Sequence, residues 1–261
     1  MIDVNATASR QHDNAAKQPH DPSISARLAA IIAAMSDAIE RLIERHGPTA
    51  VCDALAPLLT PERIARIDHV LAARLESVAI AVEDTYDPHN AAATIRTAEA
   101  LGLQDLHVIE AEKRFAPAEG VTRGAHRWLD VQRWPSAEAA ARDLRGRGFR
   151  VLATRPDAGA SLDDVDVTAP IVVLFGNEHA GLSPAALAAC DGALAVPMFG
   201  FTESYNLSVT VALVASRLAE RRRAHLRARG DLPADRIAHL RARWFAVGLR
   251  GVIGILQRKL A

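Results

Sequence analysis

The stretch VAIAVEDTYDPHNAAATIRTAEALGLQDLHVIE, residues 78–110, decides the class of fold. Its first segment, VAIAVED, is a short apolar run typical of a buried strand. The middle segment, NAAATIRTAEALG, predicts a helix that ends at a glycine, and LHVIE predicts the next strand. A strand, a helix and a second strand in this order indicate a parallel βαβ unit.

The same alternation continues toward the carboxyl terminus. WLDVQRW, FRVLATR, IVVLFG and ALAVPM read as strands, and SAEAAARDLRGRG, SPAALAACDG and NLSVTVALVASRLAERRRAHLRARG read as helices. We therefore expect an α/β domain whose mostly parallel sheet is covered by helices on both faces. Ligands of such sheets bind beyond the carboxyl ends of the strands, so the loops after Glu83, Phe175 and Met198 are the candidates for a site.

Helical segments flank this domain. Apolar periodicity predicts a helix over residues 26–47 and another over 60–75, where Thr60 is the expected N-cap and Arg63 and Arg66 are expected to be exposed. The expected parts of the chain are a disordered tail (1–22), a helical N-terminal extension (23–75), the sheet domain (76–225) and an Arg-rich helical C-terminal extension (226–261).

Composition limits the class of protein. The chain has 261 residues, 49% of them hydrophobic and 24% charged, as in ordinary soluble globular proteins. Its two cysteines, Cys52 and Cys190, lack CxxC spacing, which disfavours a disulfide scaffold or a thiolate metal site. The sequence also shows no signal-peptide pattern and no long apolar run. We expect a cytoplasmic protein with no membrane span and no metal.

The zero net charge hides an asymmetry. Residues 217–261 contain eleven arginines and one lysine against three carboxylates, a net charge of +9. Guanidinium groups suit bidentate contacts with phosphate, so the cluster RLAERRRAHLRAR points to a polyanion partner. A solvated helical face explains the same pattern equally well.

The residues of the first two candidate loops have structural as well as functional interpretations. In the first loop, Asn90 can cap the following helix, and Arg96 can be a surface arginine paired with Glu99 or Asp87. The second loop, LFGNEHAGLS, has small residues that let a ligand approach the backbone. It matches neither a dinucleotide-binding motif nor a P-loop, and its Glu-His pair is too sparse to suggest a metal.

The third loop opens FGFTESYNLSVTVALVAS, residues 199–216. Thr202, Ser204 and Asn206 are all helix-capping residue types, yet a helix start needs only one of them. A Ser–His–acid hydrolase is disfavoured, because Ser204 does not stand in a GxSxG sequence. The surplus of polar groups at the start of an apolar helix indicates a functional site.

Taken together, the three loops resemble the motifs of the SpoU (TrmH-like) branch of the SPOUT RNA 2′-O-ribose methyltransferases. The matching segments are PHNAAATIRTAEALG, IVVLFGNEHAGLS and VPMFGFTESYNLSVTVALVAS, in that order, and GAHRWL between the first two is also similar. The resemblance covers residues 60–225. The segment ERIARIDHVLAARL is similar to the tRNA guanosine-2′-O-methyltransferases, which favours that subgroup.

The resemblance implies a deep trefoil knot in the carboxyl half of the sheet, which is a rare exception among folds. It also implies S-adenosylmethionine as the cofactor, and a homodimer formed through the knot and the C-terminal helices. The implied reaction is 2′-O-methylation of RNA, with the D-loop guanosine at position 18 of tRNA as the favoured target. An rRNA target and a non-catalytic RNA-binding module are the alternatives.

The resemblance assigns roles residue by residue. The implied catalytic residues are Arg96, Asn90, Glu178, Ser204 and Asn206. The implied cofactor-binding residues are Leu152, Thr154, Gly176, Asn177, Glu178, Gly181, Val196, Met198, Ser204, Asn206 and Leu207. The expected RNA-binding residues are His89, Arg63, Arg66, Arg123, Arg221, Arg222 and Arg223.

Arg96 has two possible roles, as the group that activates the ribose hydroxyl or as an electrostatic stabiliser, and the first role is demanding because a protonated guanidinium has no acceptor. Tyr205 and His179 depart from the residues common in relatives, which bears on the choice of substrate.

Overall fold

The computed structural model describes residues 35–260. The predicted tail and the first residues of the helix predicted over 26–47 lie outside this range. Six strands form one sheet in the described chain: β1 (Val78–Glu83), β2 (Asp105–Ile109), β3 (Asp130–Trp134), β4 (Arg150–Thr154), β5 (Ile171–Phe175) and β6 (Gly192–Leu194). All paired neighbours are parallel, and the order across the sheet is β3-β2-β1-β5-β4-β6.

Helices connect and flank the strands. They are α1 (described over 35–46), α2 (Pro48–Leu55), α3 (Pro61–Leu71), α4 (Pro88–Ala100), α5 (Glu119–Thr122), α6 (Ala137–Gly146), α7 (Pro184–Ala188), α8 (Leu207–Leu226), α9 (Ala234–Ala246) and α10 (Val252–Lys259). Short 3-10 turns cover Ala56–Leu58 and Ala125–Trp128. The sequence pattern did not predict α2 and α5, which have eight and four residues, too few for a clear periodicity.

The central strands are buried on both faces, as a parallel sheet requires. On β1, Val78, Ile80 and Val82 pack in the core under α4 and α8, whereas Ala79 and Ala81 pack in the core under α6 and α7. Alternate residues of one strand therefore serve two separate cores. This confirms the predicted α/β architecture with helices on both faces.

A third core joins the two ends of the chain. Leu55 of α2 and Leu71 of α3 pack in one cluster with Trp244 and Phe245 of α9 and Leu256 of α10. The helices predicted as an N-terminal extension and those predicted as a C-terminal extension thus fold against each other. The exact division of the chain into domains stays a prediction.

Several local predictions can be compared directly with the structure. Thr60 caps α3, since its hydroxyl oxygen accepts the Arg63 N–H at 3.3 Å, as expected. The predicted helical C-terminal extension is interrupted between α9 and α10, where Gly248 and Gly251 adopt positive φ. None of the helices within residues 35–260 combines the length and the apolar character that crossing a membrane requires.

Candidate active site

The first loop is tied to the second through Asn90. Asp87, and not Asn90, caps α4, because its Oδ1 accepts the His89 N–H at 2.8 Å. The capping interpretation of Asn90 is therefore wrong. The buried Asn90 side chain instead donates from Nδ2 to Glu178 Oε1 at 2.8 Å. Asn90 thus links the start of α4 to the loop that follows β5.

Glu178 acts as a clamp between the two loops. Besides Asn90, the backbone N–H groups of Tyr86 and Asp87 donate to its carboxylate at 3.1 and 3.3 Å. Burial favours the protonated form, but these hydrogen bonds outweigh it and hold the pKa of Glu178 below its ordinary value. Glu178 is therefore an anion at neutral pH, and its oxygens are occupied in organising the backbone.

The second loop is a closed turn that depends on glycine. The backbones of Asn177 and Gly181 exchange two hydrogen bonds of 3.1 Å, and Asn177 Oδ1 accepts the N–H groups of His179 and Ala180. Gly181 has φ of +70°, and a Cβ on Gly176 would lie 2.0 Å from the Gly181 carbonyl carbon. No other residue fits at Gly176 without rebuilding the turn.

A second link between the loops at the carboxyl edge of the sheet was not predicted from the sequence. The buried carboxylate of Glu83, the last residue of β1, accepts both the N–H and the hydroxyl of Ser183 at 2.8 Å. Ser183 in turn caps α7 by accepting the Ala186 N–H. A carboxylate that ends an apolar strand and a Ser-Pro helix start were the available signals, but nothing in the sequence pairs them.

The third loop is the most exposed part of the site. Asn206 caps α8, since its Oδ1 accepts the N–H and hydroxyl of Ser208 at 2.9 and 2.7 Å, as its residue type suggested. Ser204 is exposed and makes no hydrogen bond to the described chain, and Phe199 and Phe201 are fully exposed. Tyr205 donates to the Pro197 carbonyl at 3.4 Å. The loop therefore presents polar and aromatic groups to the surroundings.

Arg96 is also unpaired. It is exposed on α4 and forms no hydrogen bond or ion pair with residues 35–260. Pairing with Glu99 is excluded, because Glu99 bonds the buried guanidinium of Arg74 at 3.0 Å. Asp87 accepts from the His89 N–H at its helix cap. The surface-pair interpretation of Arg96 is therefore wrong, and its guanidinium is free to meet a ligand or another chain.

The predicted cofactor residues fall on neighbouring strand ends. Leu152 and Thr154 belong to β4, which lies between β5 and β6, and the Thr154 hydroxyl donates to the Leu174 carbonyl at 2.9 Å. Val196 and Met198 are half-buried beyond β6, and Leu207 is buried at the start of α8. Gly176, Asn177 and Gly181 form the turn beyond β5.

This donor set fits an adenosyl cofactor. Strand ends offer backbone donors and acceptors, and Val196 and Met198 offer apolar surface for a purine. Within residues 35–260, no group of three or more His, Cys, Asp or Glu side chains lies close enough to hold a metal ion.

The RNA-binding prediction for Arg221, Arg222 and Arg223 is contradicted by their contacts. Arg222 is buried, and its guanidinium donates to the Ser77 hydroxyl and to two backbone carbonyls of the loop before β5. Arg221 donates to two carbonyls of the same loop, and Arg223 donates to three other carbonyls. The three guanidinium groups thus bond backbone carbonyls of the chain itself and contribute to the fold.

The other predicted RNA contacts differ among themselves. Arg63 is half-buried and donates to the Val247 carbonyl, so the expectation that it is exposed is wrong. Arg66, Arg123 and His89 are exposed, which leaves their RNA-binding role a prediction.

The fold and the site together define a class. A parallel sheet that brings three motif loops to the carboxyl ends of its strands is an α/β domain built for a ligand at that edge. The family model for the SpoU rRNA Methylase family matches residues 77–216. The chain belongs to this family, which confirms the resemblance carried by its motifs.

Individual relatives extend the comparison. A tRNA (guanosine(18)-2′-O)-methyltransferase of Borreliella burgdorferi is 37% identical over 170 residues, which span 65% of this chain and 78% of that protein. A crystal structure of a TrmH/SpoU tRNA-modifying enzyme of A. aeolicus is similar with a TM-score of 0.64 and 28% identity, covering 70% of this chain and 95% of that one. That of an AdoMet-bound rRNA methyltransferase of Sinorhizobium meliloti is similar with a TM-score of 0.51 and 25% identity, covering 61% and 60%.

Proposed function

We propose that the chain methylates the ribose 2′-hydroxyl of a tRNA guanosine, the D-loop guanosine at position 18, with S-adenosylmethionine as methyl donor. The observation that carries this proposal is the unpaired Arg96, which lies on the helix that Asn90 and Glu178 fasten to the second motif loop. The named activity of the Borreliella burgdorferi relative supports the choice of tRNA. The same function places the protein in the cytoplasm, consistent with its unpaired Cys52 and Cys190.

The cofactor, when bound, supplies an electrophilic methyl group on a sulfonium. We assign its binding to the strand-end backbone around Leu152 and Thr154 and the turn from Gly176 to Gly181, together with the third loop through Val196, Met198, Ser204, Asn206 and Leu207. The turn is fixed by its own hydrogen bonds before any ligand binds. Preorganised backbone groups of this kind lower the entropic cost of binding.

Arg96 acts by electrostatics and positioning in this proposal. As the new oxygen–carbon bond forms and the carbon–sulfur bond breaks, the hydroxyl loses its proton to solvent. A guanidinium stays protonated at neutral pH and cannot take that proton. It can stabilise the developing alkoxide and grip the adjacent phosphate, and alignment of the reacting atoms supplies most of the remaining acceleration.

The active form in this proposal is a homodimer. Val209 and Leu213, one turn apart on α8, have exposed side chains, as do Phe199 and Phe201 in the third loop. Apolar groups gathered on one helix and the adjacent loop mark an interaction surface. A two-fold dimer buries this surface on both chains and lets Arg96 of one chain complete the site of the other.

A trefoil knot is part of the same proposal. The loop 155–170 joins β4 to β5, and the later segment that ends β6 bonds to it, with Ala195 N–H donating to the Ala160 carbonyl at 2.9 Å. The chain then returns as α8, from which Arg221 donates to the carbonyls of Leu162 and Val165. The later chain thus contacts the middle of a loop that precedes it, at Ala160, Leu162 and Val165, which supports a threaded path.

The reaction is tested with labelled S-adenosylmethionine and unmodified transcripts of tRNA and rRNA, followed by mapping of the methylated ribose. We expect transfer to tRNA alone, at guanosine 18, and no transfer when that residue carries a 2′-deoxyribose. Methyl transfer only to rRNA would show that the substrate is rRNA and that the reaction is still 2′-O-methylation. Binding of cofactor and RNA without transfer to either would reduce the chain to an RNA-binding module.

The dimer is tested by replacing Leu213 with Asp. A charge in a buried apolar interface has no partner, so we expect the mass from light scattering to fall from that of two chains to that of one at micromolar concentration. Ala224→Asp, at an exposed position further along α8, is the control and should remain dimeric. A monomeric wild-type chain that still transfers methyl groups would contradict the shared site.

A further inference from the structure

A cavity lies at the carboxyl edge of the sheet, beyond the ends of β2 and β3. Its volume is about 320 Å³, and Glu110, Arg114, Arg133, Trp134 and Pro135 line it. These residues follow β2 and end β3, the two strands on one side of β1. A volume of this size is at the lower end of the range for small-molecule sites.

The loop that forms one wall of the cavity is held by two carboxylates. Buried Asp84, at the end of β1, accepts the N–H groups of Glu112 and Lys113 at 3.0 and 2.8 Å. Glu110 accepts the Phe115 N–H at 2.8 Å and also pairs with Arg133. The wall is therefore built by specific hydrogen bonds within the chain.

Trp134 is held at the opposite wall by a buried histidine. Its indole Nε1 donates to His107 Nδ1 at 3.2 Å. Burial lowers the pKa of His107 to about 3, so the imidazole is a neutral acceptor at physiological pH. The N–H edge of the indole is thereby satisfied inside the protein, while the half-buried ring still lines the cavity.

Cationic side chains lie beside Trp134 in the lining of the cavity and near it. Arg114 is exposed and has no hydrogen-bond or ion-pair partner within residues 35–260, and Arg133 remains half exposed beside Glu110. Lys113 lies 5.1 Å from the ring centroid of Tyr86, whose backbone N–H donates to Glu178. Lys113, in the same loop as Arg114, thus contacts the first motif loop.

We propose that this cavity binds an unpaired base of the RNA substrate, stacked on Trp134, with a neighbouring phosphate held by Arg114 and Arg133. The inference rests on the proposed RNA methylation and adds a specificity site to it. Aromatic side chains with adjacent guanidinium groups are the usual means of holding unpaired nucleotides. The ends of β3 and β5, where the second motif loop begins, are three strand spacings apart, about 14 Å, so the bound base belongs to a nucleotide other than the methylated one.

The test measures equilibrium binding of an unmodified tRNA transcript by filter retention, without cofactor. We expect Trp134→Ala to raise the Kd about tenfold, as for loss of one stacked base, and Trp134→Phe to retain most of the affinity. Arg114→Ala should weaken binding and lower the slope of log K against log salt by about 1. Arg142→Ala, at an exposed position on α6, is the matched control and should bind as the wild type does.

Steady-state kinetics add an independent readout. The loss in Trp134→Ala should fall mainly on KM for tRNA, because the ring does not touch the reacting atoms, and cofactor affinity should be unchanged. If circular dichroism shows that Trp134→Ala does not fold, the RNA affinities of Arg114→Ala and Arg142→Ala decide whether the cavity binds RNA.

The outcomes separate this inference from the proposed function. Wild-type affinity in both Trp134→Ala and Arg114→Ala overturns the cavity as an RNA site, even when methyl transfer to tRNA is normal. Weakened RNA binding in both variants, with no methyl transfer by the wild type, supports the cavity as an RNA site and overturns the proposed methylation. A wild-type chain that binds no RNA overturns both.

Discussion

The two ends of the sheet differ in whether their charged and polar side chains are paired within the chain. At the amino end, Arg236 of α9 bonds Asp105 and Asp130, the first residues of β2 and β3, at 2.7 and 2.9 Å and also pairs with Glu76. At the carboxyl end, Arg96 and Ser204 are exposed and have no partner within residues 35–260. One end is completed inside the chain and the other is open to ligands and partners.

The difference follows from the cost of burying charge. A desolvated ion destabilises the fold unless its partners are in place, so the groups around Arg236 are saturated with hydrogen bonds. Those bonds raise the pKa of Arg236 despite its burial. An exposed guanidinium such as Arg96 costs the fold little and keeps its donors for a phosphate or an alkoxide. The amino end therefore stabilises the fold, and the carboxyl end serves recognition and chemistry.

The largest expected effect on stability is at the amino end. Arg236→Met removes the shared cation from three carboxylates, and we expect the free energy of unfolding to fall by about 3 kcal/mol. The measurement is urea unfolding followed by circular dichroism. Arg142→Met, at an exposed site, should change it by less than about 0.5 kcal/mol. Equal stability of the two variants would remove the contrast between the ends.

The next effect is on rate alone. Arg96→Ala should lower methyl transfer to tRNA about 100- to 1,000-fold, the usual loss for one donor to a developing oxyanion. Its urea midpoint should equal that of the wild type, because Arg96 makes no contact that holds the described chain. Cofactor affinity, measured by calorimetry, should also be unchanged. Retained turnover would contradict the role of Arg96.

The smallest effect concerns the clamp between the loops. The pKa of Glu178 is lowered in the folded state, so its carboxylate adds stability above the unfolded pKa and loses it as the pH falls. The difference in free energy of unfolding between the wild type and Glu178→Gln should therefore be constant above about pH 5 and shrink below about pH 4.5. Urea unfolding at pH 7, 5, 4 and 3 measures it. A difference independent of pH would show that the carboxylate charge is not what holds the loops.

Local patterns were sufficient for the strands from β1 to β5 and for the cap at Asn206, but the strand predicted over ALAVPM ends at Leu194 as β6. They failed where a side chain's partner is distant in sequence. Arg222 belongs to a basic run that suggests a surface, yet it satisfies carbonyls about 54 residues away along the chain. Asn90 is a capping residue type near a helix start, yet Glu178, 88 residues later, takes its side chain. Neither pairing leaves a mark on the neighbouring sequence.

The sequence by itself determined the parallel α/β sheet, because apolar periodicity is a local property of the chain, and its motif residues carried the resemblance to the family. Only the tertiary structure decided which arginines are free and which are buried. The side chain is the same in both settings, and only the groups that folding brings to it distinguish Arg222 from Arg96. The joint core of the two terminal helical segments was decided in the same way, since amphipathic helices show an apolar face but not the partner that covers it.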